Sequence, residues 1–296
     1  MALSLVEPTK PAGAMFKTRP LLPNLGVEVL DFDFSAAMDQ AKAQAIQDLS
    51  DRHLVLLFRG QKVTEAQQVA FTGALGPMIP PVEPAFTSTT NRMIFRLGNV
   101  DMAGNKLALD DPGTVYTYGP EKWHSDGAYK PVPSHLSVLH ALEIPPEGGE
   151  TWFASMVNAY EALSPALKAR IANLKMEHPY PNSGQKVKDW QGTKVDLVVH
   201  PLVREIPGGQ KALFISAFGG HILGLPDAES DALSKELMDF ATSGAFTYKH
   251  QWTLGDTLMW NNRGLLHSAQ PWDRVKYRRL LQRTEVTDTL GYSQAS

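Results

Sequence analysis

The 296-residue chain contains no cysteine, which excludes disulfide bonds, thiolate nucleophiles and thiolate metal ligands. Any metal must therefore be bound by nitrogen and oxygen atoms. A lack of cysteine suits a reducing compartment, and we expect a cytoplasmic location. The first residues also lack the compact apolar segment and small-residue cleavage site of a secretory signal, so export is not expected.

Long apolar runs and blocks of one charge are missing as well. No apolar segment approaches the roughly 20 residues that a helix needs to cross a bilayer, so we expect no membrane association. The chain has 28 Lys and Arg residues against 31 Asp and Glu, a formal charge of −3, and the basic residues form no cluster. This balance disfavours nucleic acid as a partner.

What the sequence does contain is a succession of short apolar segments typical of β-strands. The main strand candidates are HLVLLFRG, SHLSVLHALEI, GETWFAS, DTLMWNNRGLLHSA and RRLLQRTEV. Helical patterns lie between them in SAAMDQAKAQAIQDLSDR, with Ser35 as N-cap, and in TEAQQVAFTGALG, MVNAYEALSPALKARIANL and DAESDALSKELMDFATS. We expect residues 1–15 to form a flexible arm, and residues 16–296 to form a single, mainly β domain with peripheral helices.

The segment EKWHSDGAYKP places His124 two positions before Asp126. In an extended strand, side chains at positions i and i+2 project from the same face, so this imidazole and carboxylate would lie side by side. Such a pair can bind a metal. A chance histidine and aspartate on a solvated strand edge would give the same pattern, so a third ligand is needed.

His267 is the strongest candidate for that third ligand. It follows an apolar strand and an Asn-Asn-Arg-Gly turn, inside a second apolar run, and we expect its imidazole to face a cavity. Two histidines and one carboxylate form the facial triad that leaves positions open on iron(II), an arrangement used for oxygen chemistry. We interpret the other histidines as structural or surface side chains.

The segment RRLLQR places Arg279 and Arg283 on one face of a predicted strand. Two guanidinium groups that face inward need anionic partners, because unpaired buried charge is costly. Surface ion pairs are the alternative. Together with the upstream histidines, the arginines favour a dicarboxylate cosubstrate, 2-oxoglutarate, which would chelate iron through its 2-oxo acid and meet an arginine with its far carboxylate.

These motifs resemble the taurine dioxygenase family of iron(II)/2-oxoglutarate-dependent oxygenases, which includes phenoxyacetate-herbicide and alkylsulfate dioxygenases. The resemblance runs roughly from Leu25 to Val286 and is carried by the order and spacing of several segments, among them WHSDGAY, PPEGGETWFASMVNAYEALSP, HPLV, GDTLMWNNRGLLHSA and RRLLQRT. It implies a double-stranded β-helix, the jelly-roll barrel of cupins, with iron bound by His124, Asp126 and His267.

The resemblance also implies residues for the cosubstrate. Thr151 would hydrogen-bond the distal carboxylate of 2-oxoglutarate, and Arg279 would form a salt bridge with it. Arg283 matches the family's second arginine, which lies close to the iron and can meet an anionic substrate. One extra residue separates His267 from the arginine pair relative to the usual pattern, so Arg278 is an alternative to Arg279. For Thr151 the local alternative is a residue that starts a strand after a Gly-Gly turn.

The implied activity is hydroxylation of a small anionic organic substrate with O2, with release of succinate and CO2. Hydroxylation beside oxygen, nitrogen or a sulfonate would also cleave the substrate. Candidates are an aryloxyalkanoate, a sulfonate, a sulfate ester or an N-acyl amino acid, and the sequence does not choose among them. Because Asp126 is present, hydroxylation is favoured over halogenation.

Two other functional classes stay open at this point. One is a non-catalytic jelly-roll protein that binds a metal or a small acid, and the other is a zinc-dependent hydrolase with the same triad. Family members commonly self-associate, so a homo-oligomer is also considered. Four aromatic side chains near the iron motif are candidates for a substrate-binding wall: Phe86, Tyr116, Tyr118 and Tyr129.

Overall fold

The computed structural model describes residues 15–81, 83–179 and 197–289, so the predicted N-terminal arm lies outside the described residues except for Met15. The strands are β1 (Thr18–Leu22), β2 (Leu25–Val29), β3 (Val55–Phe58), β4 (Phe95–Gly98), β5 (Ser134–Glu143), β6 (Thr151–Ser155), β7 (Lys175–His178), β8 (Val198–Pro201), β9 (Val203–Glu205), β10 (Lys211–Leu213), β11 (Thr247–His250), β12 (Thr257–Asn261), β13 (Leu265–Ala269) and β14 (Leu280–Thr287). The helices are α1 (Gln40–His53), α2 (Glu65–Leu75), α3 (Pro112–Tyr116), α4 (Met156–Ala162), α5 (Pro165–Ile171) and α6 (Asp227–Ala241).

Two sheets face each other across the main core. The larger sheet has the strand order β1-β2-β3-β12-β5-β14-β4, and the smaller has the order β11-β6-β13. All pairs in both sheets are antiparallel except β2 with β3. The ring of Phe153 on β6 lies 5.7 Å from that of Trp260 on β12, so apolar side chains of the two inner faces meet. The mainly β architecture with peripheral helices is therefore as predicted.

Strand alternation gives the larger sheet two apolar faces. On the inner face, Leu139 of β5 lies opposite Arg283 of β14, and Ser137 lies opposite Glu285. The intervening residues point outward, where α1 and α2 cover the sheet with a second core. Gln68 of α2 is fully buried there and donates hydrogen bonds to β5 and β14. The inner face of β14 is thus left free to carry charged side chains towards the space between the sheets.

The first helix begins later than the sequence predicted. Ser35 is not its N-cap, because Oδ1 of Asp33 accepts hydrogen bonds from the backbone N–H and the hydroxyl of Ser35, at 2.7 and 2.6 Å, and holds it in a separate turn. Asp39 caps α1 instead by accepting from the N–H of Lys42. The second helix begins after Thr64 as predicted, with a complete capping box.

Two predicted segments are divided in the structure. The helical pattern after β6 forms α4 and α5, because the chain becomes extended at Leu163 and Ser164 before Pro165 starts a new helix. The segment DTLMWNNRGLLHSA forms β12 in the larger sheet and β13 in the smaller one. Its turn, residues 262–264, therefore carries the chain between the sheets just before His267.

Among the described ranges, none of the helices combines the length and apolar character that a membrane span requires.

Candidate active site

His124, Asp126 and His267 converge between the sheets, and one potential ligand atom from each lies within 4.8 Å of the others. His124 and His267 form an isolated antiparallel bridge, with N–H to O distances of 3.0 and 2.8 Å in the two directions. Asp126 lies in the turn that follows. The predicted extended strand is thus reduced to this bridge, and the turn brings the carboxylate back towards the two imidazoles.

The three side chains fit a divalent metal. Nδ1 of His124 lies 2.7 Å from the carbonyl oxygen of Lys122, which can only accept, so Nδ1 carries the proton and Nε2 keeps its lone pair. Nε2 of His124 lies 3.9 Å from Oδ1 of Asp126, and Nε2 of His267 lies 3.7 Å from Oδ2. Burial lowers the pKa of His124, and burial together with His124 lowers the pKa of His267 to about 3. Both imidazoles are therefore neutral at pH 7, as metal ligands must be.

Asp126 is fixed by three side chains, of which the sequence had singled out only Arg283. The hydroxyl of Ser137 donates to Oδ2 at 2.6 Å, and Nη1 of Arg283 donates to Oδ1 at 3.2 Å. The side chain of Asn262 accepts from the backbone N–H of Asp126 and donates to the Ser137 hydroxyl, at 3.1 and 3.0 Å. Burial raises the pKa of Asp126, but the charge of Arg283 and the hydrogen bond from Ser137 act in the opposite direction, and this pKa lies well below its usual range. The carboxylate is therefore ionised and held in one orientation.

Arg278 and Arg279 occupy different environments. Arg278 is 40% exposed in its side chain and forms a two-point ion pair with Glu143, at 2.5 and 2.8 Å. Arg279 is buried, and Nη2 donates only to the carbonyl of Gly149, at 3.3 Å, while Nε has no partner among the described residues. Burial and the charge of Arg274 lower the pKa of Arg279 to about 10. The buried guanidinium of Arg279, which has no carboxylate partner in the described segments, is suited to bind an anion from outside the protein. Arg278 is already paired with the carboxylate of Glu143.

Thr151 lies in the same region, two residues after Gly149. It is buried at the start of β6, and Nε1 of Trp252 donates to its hydroxyl oxygen at 3.0 Å. Because the oxygen accepts this bond, the hydroxyl hydrogen is free to be donated elsewhere. Thr151 and Arg279 thus offer donors of the kind that a carboxylate requires.

A cavity of about 120 Å³ opens over His124 and Asp126. Its apolar lining includes Met93, Phe95, Tyr116, Tyr129 and Phe218. Of the predicted aromatic wall, Tyr116 and Tyr129 line the cavity, and Phe86 packs against Tyr116 with its ring 5.0 Å away. Tyr118 does not take part: it is 45% exposed and stacks on the guanidinium of Arg274. His178 lines the cavity too, although the sequence suggested only a structural role.

The fold and this site agree with the known proteins that the chain resembles. The family model for taurine catabolism dioxygenase TauD and the TfdA family matches residues 17–284. The chain belongs to this family. A 2,4-dichlorophenoxyacetate dioxygenase of Cupriavidus pinatubonensis, alpha-ketoglutarate-dependent, is 34% identical over 282 residues, which cover 91% of this chain and 96% of the relative.

A second relative and a solved structure are also similar to this chain. An (S)-phenoxypropionate/alpha-ketoglutarate-dioxygenase of Sphingobium herbicidovorans is 34% identical, with 86% of this chain and 87% of the relative covered. The crystal structure of AAD-2 with Mn(II) and N-oxalylglycine superposes with a TM-score of 0.83 at 29% identity, and covers 93% of this chain and 98% of that one.

Family membership confirms the predicted jelly-roll fold and the predicted reaction class. The protein is an iron(II)/2-oxoglutarate-dependent dioxygenase that uses O2 as its second cosubstrate. The non-catalytic binding protein and the zinc hydrolase are therefore not retained as functions for this chain.

Proposed function

We propose that this enzyme hydroxylates a small organic acid held in the cavity over His124 and Asp126, and that aryloxyalkanoates are the class to test first. The observation that carries the proposal is the convergence of two neutral imidazoles and one ionised carboxylate, of which His124 and Asp126 line an aromatic cavity. Relatives named for the oxidation of 2,4-dichlorophenoxyacetate and (S)-phenoxypropionate support the substrate class.

In this proposal His124, Asp126 and His267 bind the iron(II). When bound, the metal supplies the activation of O2, coupled to the decarboxylation of 2-oxoglutarate to succinate and CO2. The chain's own contribution is the geometry of the three ligands. Ser137 and Arg283 hold the Asp126 carboxylate, and the Lys122 carbonyl fixes the His124 tautomer, so the ligand atoms are preorganised.

Arg279 and Thr151 are proposed to bind the distal carboxylate of 2-oxoglutarate. Arg279 carries a buried charge that has no carboxylate partner within the described part of the chain, and Thr151 has a hydroxyl hydrogen to donate. A charge-assisted bond from the guanidinium would offset the cost of its burial. Arg278 is not assigned this role, because Glu143 already neutralises it at the surface.

The cavity gives the substrate an aromatic environment. Phe95 and Tyr116 lie with their rings 5.6 Å apart, edge to face, and Phe218 lines the cavity beside His124. An aryl ring can stack on such a wall while a side-chain carbon is held near the triad. If the hydroxylated carbon bears an ether oxygen, the product collapses and the carbon–oxygen bond is cleaved.

The test is a panel of aryloxyalkanoates, alkyl sulfates, sulfonates and N-acyl amino acids, scored by substrate-dependent succinate release. We expect an aryloxyalkanoate to stimulate succinate formation only when iron(II), O2 and 2-oxoglutarate are all present. His267→Ala should abolish this formation, while His221→Ala, which removes a partly exposed histidine outside the triad, should preserve it. A panel in which another class is oxidised and every aryloxyalkanoate is inert would refute the proposed substrate class.

The single catalytic domain over residues 16–296, the cytoplasmic location and the homo-oligomer stay predictions from the sequence and its family resemblance.

A further inference from the structure

Arg283, at the edge of the substrate cavity, is already engaged by two carboxylates. Its Nη1 lies 3.2 Å from Oδ1 of Asp126, and its Nη2 lies 2.7 Å from Oε1 of Glu285. Glu285 is two residues further along β14, on the same inward face, and lines the same cavity. Ser134 of β5 donates to the other oxygen of Glu285, at 2.9 Å, so this carboxylate is held in place.

This pairing changes what Arg283 can offer to a ligand. A guanidinium recognises a carboxylate best through two parallel N–H bonds. In Arg283 one terminal nitrogen faces Asp126 and the other faces Glu285, whereas the buried Nε has no partner in the ranges that the structure describes. A substrate carboxylate that makes two parallel bonds would therefore have to share at least one terminal nitrogen of Arg283 with a carboxylate that is already there.

The charges lead to the same conclusion. An arginine side chain stays protonated at every working pH, so Arg283 places a full positive charge between these two carboxylates. Asp126 belongs to the proposed metal site, where its charge faces the cation. Glu285 is then the counter-ion of Arg283, and the two side chains form an internal ion pair that is only 18% and 11% exposed.

We propose that Glu285 sets the charge preference of the substrate cavity. By holding Arg283 in an internal pair, it weakens the binding of carboxylates and lets the cavity accept small neutral molecules that carry an oxygen acceptor, such as the amides of aryloxyalkanoic acids. The inference rests on the proposed function, because it concerns what binds over the same triad. In this proposal Glu285 determines substrate specificity by competing with a substrate carboxylate for Arg283, and it does not itself bind that carboxylate.

The experiment compares phenoxyacetate with phenoxyacetamide, two probes of similar shape that differ in charge. Calorimetry would measure the Kd of each for the enzyme loaded with Mn(II) and N-oxalylglycine, conditions that exclude turnover. Glu285→Gln keeps the shape and can still accept the Ser134 hydrogen bond. We expect the ratio of the amide Kd to the acid Kd to rise by about tenfold or more in this variant, the low end of the range for close charge pairs.

Glu83→Gln is the matched control, because Glu83 lines the same cavity but forms no ion pair with Arg283. Its ratio should equal that of the wild type. An unchanged ratio in Glu285→Gln overturns the inference, as does an equal rise in both variants or the failure of every form to bind either probe. If Glu285→Gln lowers the melting temperature, Ser134→Ala is used in its place, because it removes the hydrogen bond that holds Glu285. We expect this variant also to raise the ratio of the amide Kd to the acid Kd. An unchanged ratio would again refute the inference.

Failure of the proposed function would look different. An enzyme that oxidises an aryloxyalkanoate, but whose Kd ratio does not respond to Glu285→Gln, refutes only the role of Glu285. A changed ratio in a protein that oxidises no member of the panel refutes only the proposed function.

Discussion

The hydroxyl of Ser137 donates a 2.6 Å hydrogen bond to Oδ2 of Asp126, and Asn262 donates to that same hydroxyl at 3.0 Å. The Ser137 oxygen thus accepts from one side and donates to the carboxylate on the other. Asn262 also accepts from the backbone N–H of Asp126 and from the indole of Trp260. Asp126 is therefore oriented by a buried network that begins on β5 and on the turn after β12.

The first prediction concerns this network. Ser137→Ala removes the bond to Asp126, and we expect the affinity for Mn(II) to fall by about tenfold, because partners that orient a ligand contribute to metal binding. The measurement is a metal titration without cosubstrate. Ser88→Ala is the control, since Ser88 is also buried and donates to a carboxylate, that of Glu65, which is not part of the triad. Equal affinities in both variants would show that the network does not support the metal site.

The second prediction separates the two adjacent arginines. Arg279→Ala should raise the KM for 2-oxoglutarate by about 30-fold or more, since the loss of a buried charge pair costs about 2 kcal/mol or more. Arg278→Ala should leave this KM unchanged, because its guanidinium pairs with Glu143 at the surface. The reverse pattern would assign the cosubstrate carboxylate to Arg278.

The spacing of His124 and Asp126 and that of Arg279 and Arg283 are local signals, so the sequence alone could pair these side chains, whereas His267 was selected from its place in a second apolar run. His124 and Asp126 share a face if the segment is extended, and the step from Arg279 to Arg283 likewise follows the alternation of a strand. Apolar patterns likewise predicted the strands β3, β5, β6, β12, β13 and β14. The backbone conformation at Asp126 was predicted wrongly. The spacing suggested an extended strand, whereas Asp126 lies in a turn that brings its carboxylate to the same place.

Ser137, Asn262 and Glu285 could not be found in this way. Ser137 and Glu285 lie opposite each other only once β5 pairs with β14 in one register, and neither segment carries a sign of that register. The segment around Asn262 reads as an ordinary turn, yet its side chain reaches a residue on β5. Contacts of this kind depend on which strands become neighbours, which is a property of the whole fold.

The third prediction is a loss of stability in mild acid. Burial, together with His200 and Arg204, lowers the pKa of His178 from its ordinary value of 6.5 to about 3. Above pH 6.5 the imidazole is neutral in both states. Below pH 6.5 the His178 imidazole of the unfolded chain is protonated, whereas that of the native protein stays neutral down to about pH 3. The free energy of unfolding therefore decreases as the pH falls through this range. At pH 5 this side chain alone should cost about 2 kcal/mol.

Denaturant unfolding of the metal-free protein at pH 8 and pH 5 measures this effect. His178→Asn should flatten the pH dependence, whatever its effect on stability at pH 8. An identical slope in the wild type and His178→Asn would mean that His178 is protonated in the native state.

The last prediction concerns Gly149, which adopts a φ of +70° beside Arg279. A Cβ at this position would lie 3.0 Å from Cγ of Pro145 and 3.2 Å from Nε of Arg279, so Gly149→Ala should displace the guanidinium as well as strain the backbone. Gly208 has a similar φ of +91°, but a Cβ there meets nothing within 4 Å among the described residues.

Comparison of the two alanine variants separates strain from crowding. Both should lose about 1 kcal/mol or more of unfolding free energy, because alanine is disfavoured at positive φ. Only Gly149→Ala should also raise the KM for 2-oxoglutarate, since only there does the new methyl group reach the arginine proposed to bind it. If the two variants lose stability equally and bind 2-oxoglutarate alike, the position of Arg279 does not depend on the space that Gly149 leaves beside it.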